Sequence, residues 1–159
     1  MLLYHGSTMA VRKPIVSRGR SKTDFGKGFY TTTSREQAEK WAKIKRDRAK
    51  GTKAIVSVFE IDDAIFSNRS YKIMNFDGAT KEWLDFVVAC RRGESHDYDI
   101  VEGPMADDTI WDYVEDFIAG NITREAFWVL VKFKYPTHQL VFCTATALRT
   151  LSFINSYAV

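Results

Sequence analysis

Short strand-like runs, separated by helical segments of uneven length, constrain this chain most. Runs rich in aromatic and β-branched residues fall at 1–5, 29–32, 54–61, 99–101, 139–143 and 151–157. In the third of these, Ile55, Ser57, Phe59 and Ile61 alternate with Val56, Val58 and Glu60. Helical periodicity lies between the runs. Ser34 followed by Gln37 is a capping-box pair that opens about four turns of helix. Ala38, Trp41, Ala42 and the stem of Lys45 share one face at i, i+3, i+4 and i+7. A second helix spans 81–92 and carries Trp83, Phe86, Val87 and Cys90. A third, capped by Asp107 or Asp108, stops at Gly120-Asn121, Thr123 caps a fourth, and 145–149 form a last helical turn. Strands and helices do not alternate regularly. The expectation is an α+β fold and not a doubly wound parallel sheet.

With 159 residues, 45% hydrophobic and 27% charged, the chain can bury a core without disulfides or metals, so a single domain over 1–159 is expected. No apolar stretch reaches the length of a membrane span. The first residues enter a strand-like run with no basic and apolar leader before it, and Cys90 and Cys143 stand far apart. A cytoplasmic protein is expected, or one delivered into a target cell without a signal peptide. His5, His96 and His138 lack the spacing of a ligand set, so no metal is expected. No Walker loop, nucleophile elbow or Gly-x-Gly-x-x-Gly fingerprint occurs.

The net charge of +3 conceals an asymmetry. Residues 1–54 carry 14 Lys/Arg against 4 Asp/Glu, and the rest of the chain is acidic. A basic half of this kind suits a pyrophosphate, a nucleic acid or an acidic partner. Lys40, Lys43, Lys45, Arg46, Arg48 and Lys50 also read simply as the solvated face of one helix.

Two short segments bear the chemistry. The first is a strand ending in Tyr4-His5-Gly6-Ser7, and the second is Asp24-Phe25-Gly26-Lys27-Gly28-Phe29-Tyr30, with Trp41 eleven positions beyond its tyrosine. A His-Gly-Ser alone is common at a strand end. With the second segment and the second aromatic in register, the set resembles the ADP-ribosyltransferase superfamily, in the branch of diphtheria toxin and the poly(ADP-ribose) polymerases. The resemblance implies split antiparallel β-sheets with inserted helices, and NAD as co-substrate. It implies that His5 hydrogen-bonds a ribose, that Gly6 presents backbone to the nicotinamide carboxamide, and that Ser7 meets a ribose hydroxyl. Gly28 would bring backbone close to the ligand, with Tyr30 and Trp41 sandwiching the nicotinamide ring. Ala38 stands where the polymerases have a serine, which removes one hydrogen bond. Trp41 also reads as an ordinary core residue of its helix.

The third element of that family is a late strand with a catalytic glutamate, and the similar segment here, His138-Gln139-Leu140-Val141-Phe142, has Gln139 instead. Gln139 retains a hydrogen bond to the ribose but no charge to stabilise an oxocarbenium-like ribosyl cation. Its absence argues against chain elongation. Glu102 or Asp107, in the acidic segment 99–108, could supply charge, although Asp107 and Asp108 equally read as helix caps. The same features, glutamine included, resemble an uncharacterised bacterial DUF family with a His-Tyr-Gln triad. The implied activity is mono-ADP-ribosyl transfer from NAD to a macromolecular acceptor, protein or nucleic acid. His5, Tyr30 and Gln139 are its expected catalytic residues. A toxin-like role with an antitoxin-like partner and no membrane partner is the expectation. A weak or inactive NAD-binding module and a nucleic-acid-modifying transferase stay open as alternatives.

Overall fold

In the computed structural model, which describes residues 1–106, 108–131 and 137–159, the strands gather into two sheets. The first sheet holds β1 (Leu2–Ser7), β3 (Ile55–Glu60) and β7 (Ser152–Ala158), antiparallel in the order β1-β3-β7. The second holds β2 (Phe29–Thr31), β6 (His138–Phe142), β5 (Ile100–Pro104) and β4 (Ile73–Asn75), in the order β2-β6-β5-β4. All its pairings are antiparallel except β4 with β5. The fold is α+β with split sheets, as expected. The parallel pair is an addition to that picture: β4, only three residues long, has no alternation to mark it and is set by its neighbour β5.

Helices α1 (Arg35–Arg48), α2 (Lys81–Arg92), α3 (Asp108–Ala119), α4 (Arg124–Val131) and α5 (Ala145–Leu148) fill the connections. Their ends carry the caps that the sequence advertises. Ser34 Oγ accepts from the Gln37 backbone N–H at 3.2 Å, and Thr123 Oγ1 accepts from that of Ala126 at 3.2 Å. The reciprocal half of the first capping box does not form, because the Ser34 N–H donates to Thr32 Oγ1 at 3.1 Å while the Gln37 amide turns to Met105 Sδ. Gly93 and Gly120 close α2 and α3 at φ +94° and +77°, the left-handed region that favours glycine. Among the described residues, no helix is long and apolar enough to cross a membrane.

Alternation along β6 divides the core. Val141, with Val101 of β5, faces α2, α3 and α4, where Trp83, Leu84, Val87, Ile110, Val114 and Phe127 are fully buried. Leu140 and Phe142 face the other sheet and meet Leu3, Phe29, Phe59 and Ile61. The four-stranded sheet is therefore apolar on both faces. A third, smaller cluster seats Ala38 and Ala42 of α1 on Ala54 and Val56. The strand expected at 99–101 runs on through Gly103-Pro104, since Gly103 pairs with Gln139 and Pro104 with His138. A Cβ on Gly103 would come within 2.9 Å of Phe76, so glycine is needed for that strand to pack.

Candidate functional site

The site originates where the two sheets touch and then part. Tyr4 of β1 and Thr32, just after β2, exchange both backbone hydrogen bonds, at 2.8 and 3.0 Å. Continued antiparallel pairing would set His5 against Thr31 and Gly6 against Tyr30. It does not continue beyond this single bridge, and along their other edges β1 pairs with β3 and β2 with β6. The groups that would have paired are re-used. The Tyr30 carbonyl accepts from His5 Nδ1 at 2.6 Å, and the Gly6 carbonyl accepts from Lys45 Nζ at 2.6 Å. A cleft of about 910 Å³ opens at this split, and His5, Gly6, Ser7, Gly28, Tyr30, Trp41 and Gln139 all line it. Backbone direction alternates by residue along a strand, so Gly6, like Tyr4, turns its N–H toward the gap.

His5 is held by two contacts. Its ring lies 4.3 Å from that of Phe29, and Nδ1 must carry the proton because its partner is a carbonyl. Burial, with the Lys45 ammonium close by, pulls the imidazole down to about 3. The ring is therefore neutral, and Nε2 is left as an acceptor for a hydroxyl or amide donor. The low value has a cost in acid. An unfolded chain takes up a proton near 6.5 that the folded one refuses until about 3. Stability is full above 6.5 and falls as the pH drops below it, by up to about 1.4 kcal/mol per pH unit from this residue. His5→Gln is expected to remove that increment from the pH 7 to pH 5 difference in urea midpoints. Equal acid sensitivity in both proteins would refute it.

The glycines here serve packing as well as approach. A Cβ on Gly6 would collide with the Ala38 carbonyl and sit 2.7 Å from the Ala42 nitrogen, so α1 rests directly on the strand. A Cβ on Gly28 would meet Val141 Cγ1 at 2.5 Å and the Phe142 carbonyl at 2.9 Å, so the cleft floor is backbone against β6. Through the first of these contacts α1 brings Trp41 and Lys45 into the cleft. Burial and nearby Arg20 bring the Lys45 ammonium down to about 8.

Tyr30 and Trp41 both line the cleft. The Tyr30 hydroxyl donates to the Gly26 carbonyl at 2.7 Å and accepts from the Phe25 N–H at 3.1 Å, with Thr23 Oγ1 at 2.6 Å. Burial pushes this phenol well above its ordinary range. Tyr30 thus offers a fixed ring face, with its hydroxyl held by the Gly26 carbonyl. Burial also pushes the thiols of Cys90 and Cys143 up to about 12, so neither is a nucleophile.

Gln139 is 3% exposed, and its amide nitrogen donates to Asp24 Oδ2 at 3.1 Å and to the Pro104 carbonyl at 3.4 Å. Asp24 also takes Arg91 on Oδ1 and the Ala106 N–H on Oδ2. The Arg91 guanidinium in turn lies over the Trp111 ring. Glu102, a candidate source of charge from the sequence, does not line the cleft; it faces Leu140 across the β5–β6 ladder. Asp107, the other candidate, lies outside the described residues. Sequence reasoning missed Asp24, although it is the only acidic residue in the first 35, set amid Arg18, Arg20, Lys22 and Lys27 beside the Gly26-Lys27-Gly28 motif.

The basic half of the chain converges here as well. Lys13, Arg18, Arg20, Lys22, Lys45, Arg48 and Arg91 border the cleft, and Asp24 is the only carboxylate among its described residues. Such a wall attracts phosphates. Among the described residues no group of three or more His, Cys, Asp or Glu is placed to hold a metal ion.

A comparison with curated proteins finds no match. A family model, described as a protein of unknown function (DUF3990), matches residues 1–153. With nearly its whole length matched, the chain belongs to the DUF3990 family.

Proposed function

We propose that the cleft binds NAD and that the protein is a mono-ADP-ribosyltransferase acting on a macromolecular acceptor. One observation carries the reading: residues from four distant segments, 5–7, 28–30, 41 and 139, line one cleft where β1 and β2 part. Each has the chemistry a nicotinamide dinucleotide needs. Neutral His5 offers Nε2 to a ribose hydroxyl, and Gly6 offers an N–H to the carboxamide. Tyr30 and Trp41 supply aromatic faces for a flat ring. Lys45, Arg20 and Arg48 suit the pyrophosphate.

In the reaction, the bond between C1′ and the nicotinamide nitrogen breaks with its electron pair going to nicotinamide. The acceptor nucleophile then bonds C1′ and gives up a proton. Gln139 would accept a hydrogen bond from the ribose. Asp24, the only carboxylate lining the cleft among the described residues, is engaged by Arg91 and the Ala106 N–H, which suits a single transfer rather than polymer growth. The cationic rim favours an acceptor rich in phosphate, so nucleic acid stands beside protein as a target.

The test is release of labelled nicotinamide from NAD, with and without cell lysate, combined with NAD titration. Wild-type protein is expected to release nicotinamide and to label lysate, with nuclease or protease digestion sorting the target. Trp41→Ala is expected to weaken NAD binding about tenfold through the lost stacking face. Saturable binding without release would instead make the protein a binding module. Absence of both would end the reading.

A further inference from the structure

We propose that Asp24 is the positioning residue of the site, holding Gln139 as a fixed acceptor and lending it negative charge through the amide; this rests on the NAD reading above. A primary amide has two N–H donors and one oxygen acceptor. Both donors of Gln139 are committed, to Asp24 Oδ2 at 3.1 Å and to the Pro104 carbonyl at 3.4 Å. Turning the amide over would set Oε1 against a carboxylate and a carbonyl, two acceptors facing an acceptor. One orientation survives, and in it Oε1 is the polar atom that Gln139 has left for the cleft it lines.

Asp24 cannot do the work itself. It is 5% exposed, and its oxygens already accept from Arg91 Nε and Nη2, the Ala106 N–H and Gln139. Although it lines the cleft, its oxygens are taken, so it acts there through the amide it binds. An N–H donated to an anion draws electron density toward Oε1 and strengthens that oxygen as an acceptor. Arg91 pairs with the carboxylate and holds it in place from α2. The neutral Gln139 is thus backed by a buried carboxylate one hydrogen bond away.

The experiment is a double-mutant cycle on single-turnover nicotinamide release, with NAD affinity followed by calorimetry. Asp24→Asn is expected to slow release about tenfold while NAD affinity stays within about threefold. In a Gln139→Ala background the same change is expected to slow release by less than about twofold, because Asp24 then has nothing to act through. Multiplying losses, or full release by Asp24→Asn alone, would overturn the proposal. Should Asp24→Asn fail to fold, the wild-type protein decides by NMR. The Gln139 side-chain amide protons, identified by their absence in Gln139→Ala, are both expected to exchange slowly with solvent. Exchange as fast as that of an exposed glutamine amide would sink the idea. A wild type that releases no nicotinamide would remove the NAD reading and the catalytic part of this proposal together, while the amide resonances still report whether Asp24 holds Gln139.

Discussion

Gly6→Ala is expected to destabilise the protein by about 3 kcal/mol and to lower its melting temperature by about 9 °C. The added methyl would overlap the Ala38 carbonyl and lie 2.7 Å from the Ala42 nitrogen, both backbone atoms of α1. Backbone cannot change rotamer to escape. Either α1 lifts off the sheet or β1 bends away from β3. Both moves disturb the cluster of Ala38, Ala42, Ala54 and Val56. The same displacement would carry Lys45 off the Gly6 carbonyl and shift Trp41, so NAD binding should fail along with stability. Thermal unfolding and NAD titration of the variant check both halves. A melting temperature within about 2 °C of wild type would mean that the helix and strand tolerate separation, contrary to the packing seen.

Gln139→Ala is expected to slow nicotinamide release about a hundredfold while leaving NAD affinity nearly unchanged. A hydrogen bond to a charged or charging group contributes about 1.5–3 kcal/mol, and the upper figure corresponds to about a hundredfold in rate. Charge develops on the ribose only as the nicotinamide bond breaks, so the loss belongs to the rate and not to binding. The variant also strips one donor from Asp24, which keeps Arg91 and the Ala106 N–H. It should therefore fold. Equal release by the variant and wild type would remove Gln139 from the chemistry.

Local features of the fold were legible because they depend on neighbours in sequence. Ser34, Thr123 and Gly120 cap helices through contacts within a few residues. The helix at 81–92 coincides with α2, whose Thr80 cap and left-handed Gly93 bound it. Strand β4 was not legible, because three residues carry no period and only pairing with β5 makes them a strand. For the same reason the sequence marks β5 as shorter than it is. Gly103-Pro104 reads locally as a turn, and only the partners Gln139 and His138 extend the ladder through it.

At the candidate site the sequence alone determined the residue types and their order: His5-Gly6-Ser7, Gly28 with Tyr30, then Trp41, then Gln139 on a late strand. Spacing along a helix or strand is a local geometric constraint, so those positions can be read without a partner in view. Tertiary structure alone decided what surrounds them. Asp24 and Gln139 are 115 residues apart, and Arg91 reaches Asp24 across 67. No periodicity links such residues; they meet because β2 and β5 flank β6 and α2 packs on the same face. Burial then sets their chemistry, leaving His5 neutral, lowering Lys45 and turning the Gln139 amide one way. These are properties of a low-dielectric cleft, which exists only once the two sheets have come together and split.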